Sequence, residues 1–205
     1  MNLEELQEFL DTAQIPEFKQ KPKTFLEIAN QPHYENVISS IYAFYFDPEE
    51  EHGLGDLFIN SLVRCMNRKH ESEWLANFTD FGIYTEYPTK NGRIDILLKN
   101  DDVAIIIENK IYHHLNNDLG EYSEYIQRQV NSDDGVYGLV LGLKEIDSNQ
   151  DNFVSLTHKE FLNEVLQNIG EYLLEASDKY VTFLKDFYQN IINLSEKTMK
   201  NNELE

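Results

Sequence analysis

Five consecutive apolar residues, Val103-Ala104-Ile105-Ile106-Ile107, run without a break into Glu108-Asn109-Lys110. Side chains alternate between the two faces of a strand, so an unbroken apolar run specifies a strand covered on both sides. Such a strand needs a further layer on each face of its sheet, the arrangement found in α/β domains. Charged residues at the end of a doubly covered strand are disfavoured unless paired or functional. The run therefore constrains both the fold and the place to look for chemistry.

The rest of the chain supplies the layers. Residues 33–46 carry Tyr34, Val37, Ile38, Ile41, Tyr42 and Tyr45 at helical spacing and stop at Asp47-Pro48. Residues 54–68 resume as a helix, with Leu54, Leu57, Phe58, Leu62 and Cys65 or Met66 on one side. Residues 81–88, 93–99, 103–110 and 135–142 read as strands from their β-branched and aromatic content, with Asn91-Gly92 and Asn100-Asp101-Asp102 as turns. Between the last two strands, residues 118–130 place Leu119, Tyr122, Ile126 and Val130 on a helical stripe. Residues 153–156 form a further short strand, and Thr157 to Glu160 has the form of a capping box opening a helix to about Ala176. Tyr180, Val181, Leu184, Phe187, Tyr188, Ile191 and Ile192 define a last amphipathic helix. At the start, residues 2–13 have Leu3, Leu6, Phe9 and Leu10 at helical spacing, residues 14–23 read as a linker, and Thr24 to Glu27 is another capping box. We expect one domain over 1–205, with a core at about 33–156, an N-terminal helical extension at 1–32 and C-terminal helices at 157–197.

Composition narrows the class. A chain of 205 residues, 41% hydrophobic with twelve Tyr and twelve Phe, closes a compact core despite 26% charged residues. Cys65 is alone, which excludes an intramolecular disulfide and a thiolate metal site and leaves a small buried apolar residue. The first residues lack the basic region and apolar run of a signal peptide, and no apolar stretch reaches the length of a membrane span, so a cytoplasmic location is expected. A net charge of −20, from 17 basic against 37 acidic residues, opposes a broad nucleic-acid-binding surface. Local patches and bound cations set the field at a site, however, and the sum over the chain does not.

The hairpin 93–110 carries the chemistry. With Asp101 and Asp102 as a two-residue turn, Asn100 pairs with Val103 and the register puts Asp95 opposite Glu108. Directly opposed residues have Cβ atoms about 4.5–5.5 Å apart, so two ionised carboxylates there repel unless a positive charge lies between them. Alternation sends Glu108 and Lys110 to one face and the Asn109 side chain to the other, leaving the Asn109 backbone carbonyl on the metal side. Two carboxylates and a carbonyl are hard oxygen donors suited to Mg2+ or Mn2+. Lys110 is placed to orient or deprotonate an attacking water and to add positive charge at a phosphate. The G-x-x-x-x-G-K-[ST] and G-x-G-x-x-G loops of nucleotide-handling proteins are absent.

Gly92-Arg93-Ile94-Asp95-Ile96 followed by Ile105-Ile106-Ile107-Glu108-Asn109-Lys110-Ile111 resembles the PD-(D/E)XK nuclease superfamily, in particular a bacterial branch with an R-I-D and an I-E-N-K-I strand. Phe46-Asp47-Pro48 and His52 to Phe58 are similar to that branch's N-terminal helical segment, so the resemblance runs from about His33 to Leu143. It implies a restriction-endonuclease-like αβββαβ core with a mixed sheet flanked by helices. It further implies Asp95 and Glu108 as metal ligands, Lys110 as the catalytic lysine, and an acidic residue on the first core helix, for which Glu35 is the candidate. Many relatives carry Gln and Tyr four residues apart on the following helix; here Asp118 stands in place of the Gln and Tyr122 is present. Arg93, Lys90, Arg128 and Tyr122 are the candidate substrate contacts, His113-His114 reads as a solvated loop, and His52 has no assigned mechanism. The implied activity is metal-dependent phosphodiester hydrolysis on nucleic acid, with DNA foremost, in defence, restriction or repair. A homodimer or a partner protein would supply the missing basic surface. The rival reading is a nuclease fold that binds or regulates without cutting.

Overall fold

The computed structural model describes residues 21–71, 75, 78–112 and 117–202, with side chains to Thr198. The expected helix at 2–13 and most of the linker after it lie outside these residues. A short helix α1, Phe25–Ile28, opens on the capping box expected from the sequence, with Thr24 and Glu27 exchanging hydrogen bonds. Helix α2, Glu35–Phe46, and α3, Leu57–His70, follow. Then come β1, Gly82–Pro88, β2, Arg93–Lys99, and β3, Ala104–Lys110. Helix α4, Leu119–Gln127, leads to β4, Val136–Gly142, and β5, Phe153–Thr157. Helix α5, His158–Asn168, a 3-10 turn, Ile169–Tyr172, and α6, Asp178–Asn202, complete the chain.

The five strands lie in the order β1-β2-β3-β4-β5. The β1-β2 and β2-β3 pairs are antiparallel, and the β3-β4 and β4-β5 pairs are parallel. The parallel β3-β4 step needs a crossover, which α4 supplies. The architecture is the expected mixed α/β sheet flanked by helices. Strand β3 sits in the middle and is buried at every position, as its apolar run requires.

Its two faces build two cores. Ile105 and Ile107, with Ile96 and Leu98 of β2, pack against Tyr42, Phe46, Phe58, Phe161 and Phe187 from α2, α3, α5 and α6. Ala104 and Ile106, with Leu97, pack against Leu119, Tyr122 and Ile126 of α4. One face thus carries four helices and the other one, and the ends of β2 and β3 lie between α2 and α4. Among the described residues no helix is long and apolar enough to cross a membrane.

One boundary departs from expectation. The helix opened by Thr157 ends at Asn168 and tightens into the 3-10 turn, where periodicity projected it to about Ala176. The Asn168 amide donates to the Glu164 carbonyl, competing for the acceptor that its own backbone N–H would use, and Gly170 follows.

In β4, Gly138 pairs with Phe153 of β5, and a Cβ at 138 would lie 2.3 Å from the Phe153 ring. Gly138→Ala must therefore push a buried aromatic out of the α4-side core. A loss of about 1–3 kcal/mol is expected, read as a lower midpoint in chemical denaturation with an unchanged slope.

Candidate active site

The expected register is observed. Ile96 to Lys99 pair with Ile107 to Ala104, which places Asp95 and Glu108 one step beyond the last paired rung. Asn100 makes the turn work: its N–H donates to the Val103 carbonyl, and its Oδ1 accepts from Asp102 and Val103 N–H. The ladder opens at Asp95 because its carboxylate takes over the backbone donor of β3, with Asn109 N–H donating to Asp95 Oδ2 at 2.8 Å. Side-chain alternation in β2 also breaks here, since Ile94 packs on the α4 side with Leu97 while Ile96 faces the opposite core. On β1 the residue opposite Asp95 is Glu86, between the rungs Thr85–Ile96 and Tyr87–Ile94, and it adopts a left-handed φ of 53°.

Three carboxylates converge on one ammonium. Lys110 Nζ lies 2.6 Å from Glu108 Oε1, 3.8 Å from Glu35 Oε2 and 3.9 Å from Asp95 Oδ2. The side chains are 9%, 0%, 15% and 10% exposed for Lys110, Glu108, Glu35 and Asp95, so little water screens them. Glu35 reaches the group from the first turn of α2, and its Oε1 accepts from Ile111 N–H at 2.8 Å. The Asn109 side chain turns to the other face, as alternation demands. There its amide donates to the Glu35 carbonyl at 3.0 Å and to Ser39 Oγ at 2.9 Å, tying the end of β3 to the start of α2.

Burial, then the neighbouring Asp95 charge, push Glu108 up to about 7, against the pull of Lys110 and Asn117. Burial also raises Asp95, with Lys110 and the Asn109 N–H opposing it. For Lys110 burial acts downward, but Glu108, Asp95 and Glu35 outweigh it and hold the ammonium above the ordinary lysine value. The Lys110 cation is thus the counter-ion of a crowded acidic site.

Among the described residues, no three acid, histidine or cysteine side chains are drawn together at metal-ligand spacing. The donor set nonetheless fits a hard divalent cation. Glu108 Oε2 is buried without a hydrogen-bond partner among the described residues, and the neighbouring donors are carboxylate and carbonyl oxygens.

Arg93 is exposed, with its Nε 2.6 Å from Glu86 Oε2. Lys90 is exposed in the 89–92 turn, and Arg128 lies 3.8 Å from Glu124. Tyr122 is 3% exposed, packs with Ile94 and Leu97, and its hydroxyl donates to the Arg93 carbonyl at 2.8 Å. Its ring lies in the core, as its place on the apolar stripe of α4 implies, and its donor is committed to the backbone of the R-I-D strand. The same contact explains Gly92, where a Cβ would lie 2.7 Å from the Tyr122 hydroxyl. Asp118 caps α4 by accepting from Glu121 N–H at 3.0 Å. Cys65 is free and buried, its thiol pushed up to about 11 by burial. His52 is buried and holds the 52–54 turn through Leu54 N–H to Nδ1 at 2.8 Å. His113 and His114 lie outside the described residues.

Several groups escaped the sequence reading. Asn117 donates to Glu108 Oε1. Glu86 meets Arg93 and raises Asp95. His158 touches the Lys110 carbonyl, and Tyr42 touches His158. No spacing rule marks Asn117. His158 carried one signal, a polar ring at the first position of an otherwise amphipathic helix straight after a strand.

No curated protein and no solved structure matches the chain. A family model for the PD-(D/E)XK nuclease superfamily matches residues 24–203. That span takes in all five strands, the Glu35–Asp95–Glu108–Lys110 cluster and helix α6, so the chain belongs to the PD-(D/E)XK nuclease superfamily.

Proposed function

We propose that the protein is a divalent-metal-dependent nuclease that hydrolyses phosphodiester bonds of nucleic acid, with DNA as the substrate. The observation that carries this reading is the convergence of Glu35, Asp95 and Glu108 on Lys110 at 2.6–3.9 Å in a largely water-excluded site. Nucleases of this superfamily generally use divalent metals. Asp95, Glu108, the Asn109 carbonyl and Glu35 would hold Mg2+ or Mn2+. Bound there, the cation would acidify a water and neutralise charge developing on the phosphate.

The chain's own residues do the rest. Asp95 is held by the Asn109 N–H, so one of its oxygens is fixed before substrate arrives. Lys110 offers three donors on one flexible stem, and its raised pKa keeps it protonated at neutral pH. It therefore acts as a donor that orients the attacking water and the phosphate oxygen, the electrostatic role in which a preorganised cation counts most. Glu35 restrains that ammonium and the adjoining backbone together. Arg93 and Lys90, exposed at the β1-β2 turn, would supply phosphate contacts.

The net charge of −20 favours a second reading, a non-cutting binding module. Asp95→Ala separates the two. The nuclease reading expects wild type to cut single- or double-stranded DNA only with Mg2+ or Mn2+, and Asp95→Ala to lose this by about 10²-fold or more with its melting temperature kept. Metal-dependent cutting that survives in Asp95→Ala removes the site. Metal-independent binding without cutting selects the module.

A further inference from the structure

The peptide unit joining Lys110 to Ile111 is gripped at both ends. Its N–H donates to Glu35 Oε1 at 2.8 Å, and its carbonyl faces His158 Nε2 at 3.4 Å. His158 is 0% exposed and opens α5 immediately after β5. Its Nδ1 lies 2.9 Å from the hydroxyl of Tyr42, also 0% exposed, and the two rings stack at 5.7 Å and 10°.

Donor counting sets the direction. The Tyr42 hydroxyl donates to Nδ1, which leaves the ring proton on Nε2 to donate to the Lys110 carbonyl. Burial presses His158 down to about 4, so the ring is neutral at pH 7, the only state with one donor and one acceptor. Both ring nitrogens are thereby used in a place where an apolar ring would pack without needing any partner.

We propose that His158, oriented by Tyr42, is a positioning residue that fixes the carbonyl end of the last β3 peptide and so aims Lys110 at the reacting phosphate. This rests on Lys110 being the catalytic lysine. The need is physical. Lys110 ends the strand, its stem has four rotatable carbons, and a displacement of about 1 Å at a reacting group costs on the order of 10²-fold. Glu35 restrains the N–H side of the peptide plane at the last rung of the β3-β4 ladder, and a hold on the carbonyl side adds a second fixed point against rotation. His158 arrives from α5, and Tyr42 from α2, the helix that also delivers Glu35. The clamp therefore ties the aim of the lysine to the packing of both helices against the sheet.

The test uses the full chain with Tyr42→Phe, His158→Leu and His158→Gln. It reads kcat and KM separately for metal-dependent DNA cleavage, and Ile111 amide exchange by NMR in metal-free protein. His158→Leu is expected to lower kcat about 10- to 100-fold with KM within about twofold, the usual size of an outer-shell defect. His158→Gln keeps a donor for the Lys110 carbonyl and should restore most of kcat. Tyr42→Phe deletes one oxygen and should lower kcat several-fold, which carries the test should His158→Leu not fold. Ile111 exchange should quicken in His158→Leu and Tyr42→Phe and recover in His158→Gln. A kcat unchanged in Tyr42→Phe, or a fall in melting temperature alone, overturns the proposal. A wild type that never cuts overturns the nuclease reading and the catalytic half of the proposal with it. Unchanged Ile111 protection overturns the clamp by itself.

Discussion

Lys110→Met is expected to lower metal-dependent cleavage by about 10²- to 10³-fold while Mn2+ binding becomes tighter, not weaker. Three carboxylates and one ammonium, −3 + 1, give the cluster a formal charge of −2 when all are ionised. The ammonium is the cation already present, 2.6 Å from Glu108 and under 4 Å from the other two acids. At 4 Å a pair of unit charges interacts by about 4 kcal/mol at an effective dielectric of 20. A divalent ion entering the wild-type site must loosen those contacts, and methionine removes the competitor while keeping the length of the lysine's four-atom stem. The same removal leaves the acids facing one another, so the metal-free variant should melt lower than wild type and recover more on adding Mn2+. Calorimetric titration of Mn2+ beside a cleavage assay checks both halves. Full activity would strip Lys110 of its role, and loss of Mn2+ binding would show that the lysine supports the metal site and does not compete for it.

The centre of the fold was legible because its signals are local. The apolar run of β3 dictated a doubly covered strand, and the Asn100 turn dictated the register that puts Asp95 against Glu108. Glu35 was reachable only through resemblance, since nothing local says that the single acid of α2 turns towards the hairpin. The remaining site groups are placed by tertiary packing. Tyr42 and His158 are 116 positions apart, and His158 and Lys110 are 48 apart. Glu86 depends on a left-handed backbone that the surrounding strand pattern conceals. The charge sum is silent on placement for a related reason. Arg68 pairs with Glu164, and Lys69 with Glu145 and Glu160, so cations at the end of α3 serve the α3-α5 contact and not a substrate. A composition counts charges without their partners. The overlong helix after Thr157 failed because periodicity ignores a single side chain, Asn168, that competes with the backbone.

Glu108→Gln should abolish cleavage yet raise stability at pH 8 without metal, by on the order of 2 kcal/mol. In the unfolded chain this carboxyl titrates near its ordinary 4.5, and in the folded chain near 7. Below 4.5 both states hold the proton and the group has no effect. Between 4.5 and 7 the unfolded chain releases the proton while the folded chain keeps it, so stability falls as pH rises, by about 1.4 kcal/mol per unit at most. His158 runs the other way. Its folded value near 4 lies below its ordinary 6.5, so the unfolded chain gains a proton first and stability falls as pH drops through that window. The two slopes overlap between about 4.5 and 6.5 and oppose, so each partly offsets the other in the wild type. Glu108→Gln should expose the acid-side loss, and His158→Gln the loss on raising pH. Mg2+ should stabilise the wild type at pH 8, by adding positive charge where three carboxylates share the one Lys110 ammonium, and should do less for Glu108→Gln. Urea denaturation in chelator from pH 4.5 to 8, repeated with Mg2+, measures all of this. A Glu108→Gln protein less stable than wild type at pH 8 without metal would mean that Lys110 already satisfies the Glu108 carboxylate, and that the site stores no electrostatic strain for a cation to relieve.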